Sequence, residues 1–258
     1  MPKIKVAAVQ FAPVFGDKLG NLRRLAHLTK QAADNGAQLV VLPELATTGY
    51  SFMNRGDALP LSEPVHPDML TFKSMRVLAE SFKVHVAWGM IEFEPGTGEL
   101  FNTQVLVTPD GAWTSYRKVN RWGNDFLWAR PGRANPPVMK CFFNGPLGEP
   151  LMEKKVGLLI CRDVRDKVDD NWKSFYEKGD ADIVCMSANW GDGGFPSVSW
   201  MDFVKDNATT LIVSNRYRKE ANNDFGEGGA CVIEPPDKVS CEGLRWFEDC
   251  IIYAELEG

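Results

Sequence analysis

One order of elements, written twice along the chain, restricts the fold more than any other feature. Near the N-terminus "KIKVAAVQF" is a valine-rich apolar run, broken at Gly16 and Asp17. "LGNLRRLAHLTKQAADNG" follows, with Leu19, Leu22, Leu25, Ala26, Ala32 and Ala33 at helical spacing and Gly36 placed to end the helix. "AQLVVLPEL" is then a buried strand that finishes at Pro43-Glu44. From Lys155 the grammar returns. "VGLLICRDVRD" reads as strand then loop, "NWKSFYEKG" as a helix ending at Gly179, and "ADIVCMSANW" as a strand finishing near Ser187-Ala188-Asn189. Such alternation marks βαβ units. Its recurrence is a weak internal pseudo-repeat of one plan, not a tandem array.

Between the two passages, "HPDMLTFKSMRVLAESFKV" reads as an amphipathic helix and "VHVAWGMIEFE" as a strand. "LFNTQVLVTPDGAWTSYRK" is a hairpin turning at Thr108-Pro109-Asp110-Gly111. A later helix carries Trp200, Phe203, Val204 and Ala208, and "TTLIVSNR", "GGACVIEP" and "CIIYAELE" are further strands. The βαβ strands are apolar on both faces and need cover on both. Helices supply one side of each sheet, and a sister sheet is the economical cover for the other. The expected fold is therefore α/β, a four-layer α-β-β-α sandwich. No Ser/Gly linker separates the halves, so residues 1–258 are expected to form a single domain.

Composition removes several function classes. The net charge is −5 and no Lys/Arg cluster stands out, which argues against nucleic acid or an anionic membrane as partner. No apolar run reaches membrane-spanning length, and no signal-peptide core precedes the first strand, so a soluble cytoplasmic protein is expected. The six cysteines form no C-x-x-C pair and are scattered, which fits neither a zinc cluster nor a disulfide framework; most should be small buried hydrophobes. Of the three histidines, His85 lies in a strand and His27 in a helix, so neither marks a loop beside a nucleophilic cysteine.

In βαβ sheets ligands bind beyond the carboxyl ends of strands. Three reactive residues occupy such ends: Glu44 after "LVVLP", Lys118 after "AWTSYR", and Cys161 after "VGLLI". Together they make chemical sense. A thiol needs a base to become thiolate. A partly buried carboxylate has a raised pKa and exchanges protons near neutrality. An ammonium stabilises the oxyanion formed when a carbonyl is attacked. Singly, each has an ordinary reading: a loop-anchoring glutamate, a solvated lysine, a core cysteine. The signal is their joint arrival.

"VVLPELATTGY", "YRKVN" and "GLLICRDVR" resemble the three signature segments of the nitrilase superfamily, the carbon–nitrogen hydrolases. The opening "KVAAVQFAPVFGDKLGNL", the hairpin, Pro131-Gly132, "DADIVCMSANW" and "LIVSNR" follow in that family's order, so the resemblance spans nearly the whole chain. It implies an α-β-β-α fold with Glu44 as general base, Lys118 as oxyanion stabiliser and Cys161 as nucleophile. It also implies no metal or cofactor, and a homodimer or higher homo-oligomer. Two positions depart from the pattern. Asn120 stands where many members have histidine, and "NRWGNDFLWARPG" lacks the family's second glutamate, leaving Asp125 as the nearest candidate for that supporting role.

"NRWGNDFLW" and "SANWGDGGF" are expected to be active-site loops bringing Trp122, Asn189, Trp190, Phe195 and Asp192, with Trp128 packing the loops instead. Arg162 and Arg165 either hold a substrate carboxylate or pair with Asp163 and Asp166. The implied reaction is hydrolysis of a small linear amide or carbamoyl compound through a Cys161 thioester. The alternatives are a nitrilase working through a thioimidate and a catalytically silent binding protein of the same fold.

Overall fold

A computed structural model describes residues 3–144, 152–165, 176–191 and 194–257. Residues 171–175 of the helix expected to end at Gly179 lie outside these, as do Asp166 and Asp192. Among the described residues the strands are β1 (Lys3–Gln10), β2 (Leu39–Val41), β3 (His85–Phe93), β4 (Leu100–Val107), β5 (Trp113–Arg117), β6 (Val138–Phe143), β7 (Met152–Ile160), β8 (Ile183–Ser187), β9 (Thr210–Ser214), β10 (Lys219–Glu220), β11 (Asn223–Asp224), β12 (Cys231–Glu234), β13 (Lys238–Ser240) and β14 (Cys250–Glu257). The helices are α1 (Lys18–Asp34), α2 (Arg55–Ala58), α3 (Leu70–Phe82), α4 (Asp125–Trp128) and α5 (Val198–Asn207).

Apart from the β10-β11 ribbon, the strands form two six-stranded sheets, ordered β14-β1-β2-β3-β4-β5 and β13-β12-β9-β8-β7-β6. In the first, β1, β2 and β3 run parallel while β14, β4 and β5 pair antiparallel. In the second, β7, β8 and β9 run parallel while β6, β12 and β13 pair antiparallel. Read from β14 and from β6, the two sheets match strand for strand in direction. The pseudo-repeat seen in the sequence thus extends to the whole sheet plan.

Two-residue alternation sorts each inner strand between layers. In β1, Ile4, Val6 and Ala8 face the second sheet and join Leu39, Val41, Leu158 and Val184. Ala7 and Val9 face the other way, against Leu22 and Leu25 of α1 and Phe72 and Met75 of α3. Trp200, Phe203 and Val204 of α5 pack on the second sheet. Each Val, Leu, Ile, Phe or Met side chain among these contributes roughly 1.5–3 kcal/mol by leaving water, which is what holds four layers together. Asp17 caps α1 by accepting from Gly20 N–H at 3.0 Å. Leu19, expected on the buried stripe, is exposed in the first turn; Leu28 and Thr29 complete the stripe instead.

Polar clips cross between the sheets and set their strand ends level. Gln104 of β4 donates to Cys185 O (3.1 Å) and Ser187 Oγ (3.0 Å), and its Oε1 accepts from Leu159 N–H (3.0 Å). Ser187 Oγ donates to Leu42 O at 2.7 Å. Cys141, Cys185, Cys231 and Cys250 are buried as expected, whereas Cys241 is exposed. No helix among the described residues is long and apolar enough to cross a membrane.

His85 is buried, stacked on Phe143 with ring centroids 4.6 Å apart, and burial holds its pKa down at about 4. The folded protein therefore binds this proton less readily than the unfolded chain. Stability from this group is fully present above pH ~6.5 and is lost as pH falls towards 4, on the order of 3 kcal/mol in all. Urea unfolding of the native protein and of His85→Phe across pH 4–7 checks this. The native protein should lose stability relative to the variant as pH falls, and parallel profiles would remove His85 from the acid response.

Candidate active site

The strand ends do meet. Glu44 lies past β2, where the chain must squeeze by β3. A Cβ on Gly89 would fall 2.6 Å from Leu45 N and 2.7 Å from Glu44 Cα, so only glycine fits there. Lys118 continues β5, its N–H donating to Asn102 O at 2.8 Å and its carbonyl accepting from Gly132 N–H at 2.8 Å. A Cβ on Gly132 would collide with Arg117 O, so the Pro131-Gly132 segment can close over the lysine only as it stands. Cys161 opens a 3-10 turn, Cys161–Val164, directly after β7. Its φ of 47° is left-handed, costly for a residue with a Cβ. The strand is broken at the thiol rather than beyond it.

Glu44, Lys118 and Asp125 are all at most 1% exposed. Lys118 Nζ donates to Glu44 Oε1 and to Asp125 Oδ2, each at 2.7 Å. The ordinary reading of Lys118 as a solvated charge is thus overturned. Asp125, one methylene shorter than glutamate, reaches the lysine because it begins α4, and its Oδ2 also accepts from Trp122 N–H at 3.1 Å. Asn102 joins the set without having been singled out in the sequence. Its Nδ2 donates to Glu44 Oε1 at 2.7 Å and to Asp125 Oδ1 at 3.1 Å. The signal for it was an asparagine two residues before Gln104 in a wholly buried strand, two polar side chains on the face towards the second sheet.

This leaves one oxygen of Glu44 open. Oε1 holds Lys118 and Asn102, while Oε2 is buried with no hydrogen-bond partner. Two carboxylates share one ammonium, so burial and the nearby Asp125 push Glu44 up, against the pull of Lys118. Burial alone would lower Lys118, but Asp125 and Glu44 more than offset it and hold the ammonium charged. Cys161 is 5% exposed, and burial followed by the Glu44 charge pushes its thiol up. Lys118 and the backbone N–H of Asn189 act in the opposite direction. The resting sulfur is a thiol that needs a base, and Glu44, whose charge acts on it, has a free oxygen.

A pocket of about 20 Å³ opens at the sulfur, lined by Trp122, Cys161, Arg162, Arg165, Asn189, Trp190 and Gly191. That is room for about one water-sized group. Asp125 is thus in the buried network, and Trp122, Arg162, Asn189 and Trp190 are on this wall. Tyr50 steadies the Trp122 loop by donating its hydroxyl to Trp122 O. Trp128 packs edge-on against Phe52 at 5.9 Å, as expected. Phe195 packs on Trp200 and Trp246 and does not line the pocket.

The proposed pairing of Arg162 or Arg165 with Asp163 needs correction. Asp163 is fully buried and turns inward, accepting from Tyr116 hydroxyl (3.0 Å) and Asn120 N–H (2.8 Å), and burial raises it to about 7. It ties the cysteine turn to the strand end bearing Lys118. Arg165 instead lies over the Trp190 ring, 4.5 Å from its centroid.

The carbon-nitrogen hydrolase family model matches residues 5–257. An omega-amidase from Danio rerio is 31% identical over 276 residues, covering 100% of this chain and 89% of its own. A nitrilase from Pyrococcus abyssi is 31% identical over 160 residues, 62% of this chain and 56% of its own, so that match spans little more than half of the relative. In fold, the chain resembles a mutant of the amidase from Nesterenkonia sp. AN1 in complex with butyramide, with a TM-score of 0.77 at 20% identity over 99% of this chain and 91% of that one.

Proposed function

The chain belongs to the carbon–nitrogen hydrolase family, and from that premise we propose that it hydrolyses the carbon–nitrogen bond of a small linear amide through a thioester on Cys161. One observation carries the reading: a buried ammonium clamped by two carboxylates, one of which has a free oxygen and a charge that acts on the buried Cys161 thiol. The end-to-end similarity to an omega-amidase supports an amide as substrate.

Glu44 Oε2 takes the proton from Cys161 as the sulfur attacks the carbonyl carbon. Charge gathers on the carbonyl oxygen, and Lys118, with one N–H beyond its two carboxylate bonds, stabilises it. Glu44 passes the proton to nitrogen, the carbon–nitrogen bond breaks, and ammonia or an amine leaves a thioester. Water then gives a proton to Glu44 and its oxygen to the acyl carbon; the acid departs and the thiol re-forms. Asp125 and Asn102 position Lys118 and Glu44 throughout. A cytoplasmic homodimer with one domain over residues 1–258 and no metal or cofactor completes the reading; the domain and location rest on the sequence pattern, the dimer and the lack of a cofactor on the family resemblance.

The test is ammonia release from a panel of short primary amides, ω-amides of dicarboxylic acids and carbamoyl amino acids, with intact-mass detection of acylated protein. Turnover of at least one with a transient adduct on Cys161 is expected. An adduct on any other residue would overturn the assignment.

A further inference from the structure

On the wall of the pocket beside Cys161, two side chains carry buried polar atoms with no partner in the protein: the Trp190 indole N–H and, on both its polar atoms, the Asn189 amide. Asn189 lies two residues beyond β8 and is 3% exposed, yet neither its Oδ1 nor its Nδ2 has a hydrogen-bond partner. Buried side-chain amides are almost always satisfied, and leaving one unmade is costly. The neighbouring Asn215 shows the ordinary case: its amide is spent on the Trp190 backbone, accepting from N–H at 2.8 Å and donating to the carbonyl at 3.1 Å. Asn189 sits next to that clamp with both atoms idle. Asn189 shares the pocket wall with the nucleophile. The idle amide therefore belongs to a residue of the wall that carries the nucleophile.

From this we infer that Asn189 determines specificity by selecting a reacting group that bears hydrogens on nitrogen, a primary carboxamide or carbamoyl group over a nitrile or an ester. The inference rests on the hydrolase reading above. An asparagine amide offers one acceptor and two donors. A primary carboxamide offers the complement, N–H donors and a carbonyl acceptor, on atoms close enough to share a pocket this small. A nitrile nitrogen has no hydrogen to give, and an ester replaces the N–H by an oxygen that only accepts. Either would leave Asn189 Oδ1 unsatisfied on binding. A site built to hydrogen-bond a substrate group discriminates strongly against analogues that lack it, because its own polar atoms are then left unpaired.

The probes are propionamide, propionitrile and p-nitrophenyl propionate, on the native chain, Asn189→Leu and Asn189→Ala, with kcat/KM and melting temperature measured for each. In the native chain the amide should be turned over well above the nitrile. In either variant kcat/KM for the amide should fall about 100-fold or more, while the ester changes by less than about tenfold because it never used Asn189. The melting temperature should stay level or rise, since an unsatisfied buried group has been removed. A merely structural asparagine would do the reverse, lowering stability and reducing amide and ester together; that result would overturn the inference, and either variant suffices for it. Should neither the amide nor the ester acylate Cys161 in the native chain, the hydrolase reading itself falls. If both acylate Cys161 and the amide-to-ester ratio is unchanged in the variants, only the role of Asn189 falls.

Discussion

Cys161→Ala is expected to lose all measurable turnover of any amide the native chain hydrolyses, while folding unchanged. The thiol sits in a 3-10 turn at the end of β7, with most of its surroundings contributed by the strands below. Deleting one sulfur there costs little packing, about 1 kcal/mol. The chemistry has no substitute. The described network offers a base and an oxyanion stabiliser but no second nucleophile within it, and losing the nucleophile from such a set typically costs on the order of 10⁴ to 10⁶ in kcat. Ammonia release together with thermal unfolding separates the two effects. Retention of near-native activity by a folded Cys161→Ala protein would end the thioester mechanism. The other cysteines give the control: replacing Cys141, Cys185, Cys231, Cys241 or Cys250 by serine or alanine should leave the chemical step intact.

Glu44→Gln should trap the reaction halfway. Glutamine keeps the size of the side chain, and its carbonyl can still accept from Lys118 and Asn102 in place of Oε1. What disappears is the base at Oε2. An activated ester needs little help to acylate Cys161, but hydrolysis of the thioester needs a base to activate water. Time-resolved intact mass spectrometry should therefore show the acyl-enzyme accumulating to near stoichiometry, with steady-state turnover reduced about a hundredfold to ten-thousandfold. Undiminished turnover without an accumulating adduct would take Glu44 out of the base role. Lys118 is a poorer place for this test. It neutralises two buried carboxylates, and removing one partner of a buried ion pair costs about 3–5 kcal/mol, so Lys118→Ala confounds catalysis with folding.

The parts of the site legible in the sequence were those that local pattern controls. Glu44 and Cys161 end apolar runs, and Lys118 ends a hairpin arm whose turn chemistry is explicit, so strand assignment alone brought them to one rim. Fates that depend on packing across layers were not legible. Whether Lys118 is solvated depends on Asp125 arriving from α4, and α4 is a single turn with no periodic signature. Asp163 looks like one member of a charged surface loop, "RDVRD", and only the partnership with Tyr116 and Asn120 turns it inward. Asn102 reads as a polar residue in a strand until the second carboxylate is in place above it. Leu19 fits the helical period of α1, but at its first turn no neighbouring layer covers it. The sandwich itself was readable because strands apolar on both faces leave few alternatives, and the matching strand order of the two sheets follows from the repeated grammar.

That matching order has a consequence for how the molecule could have come about. Glu44, Asn102, Lys118 and Asp125 all belong to the first sheet or its connections, whereas Cys161 and Asn189 belong to the second. Glu44 follows β2, and its counterpart by strand order, Asn189, follows β8. If both halves descend from one ancestral segment, base and nucleophile arose at different positions of it, since Glu44 follows β2, the counterpart of β8, whereas Cys161 follows β7, the counterpart of β1. Gln104 links the two halves: its one side chain both donates to and accepts from the backbone of the second sheet.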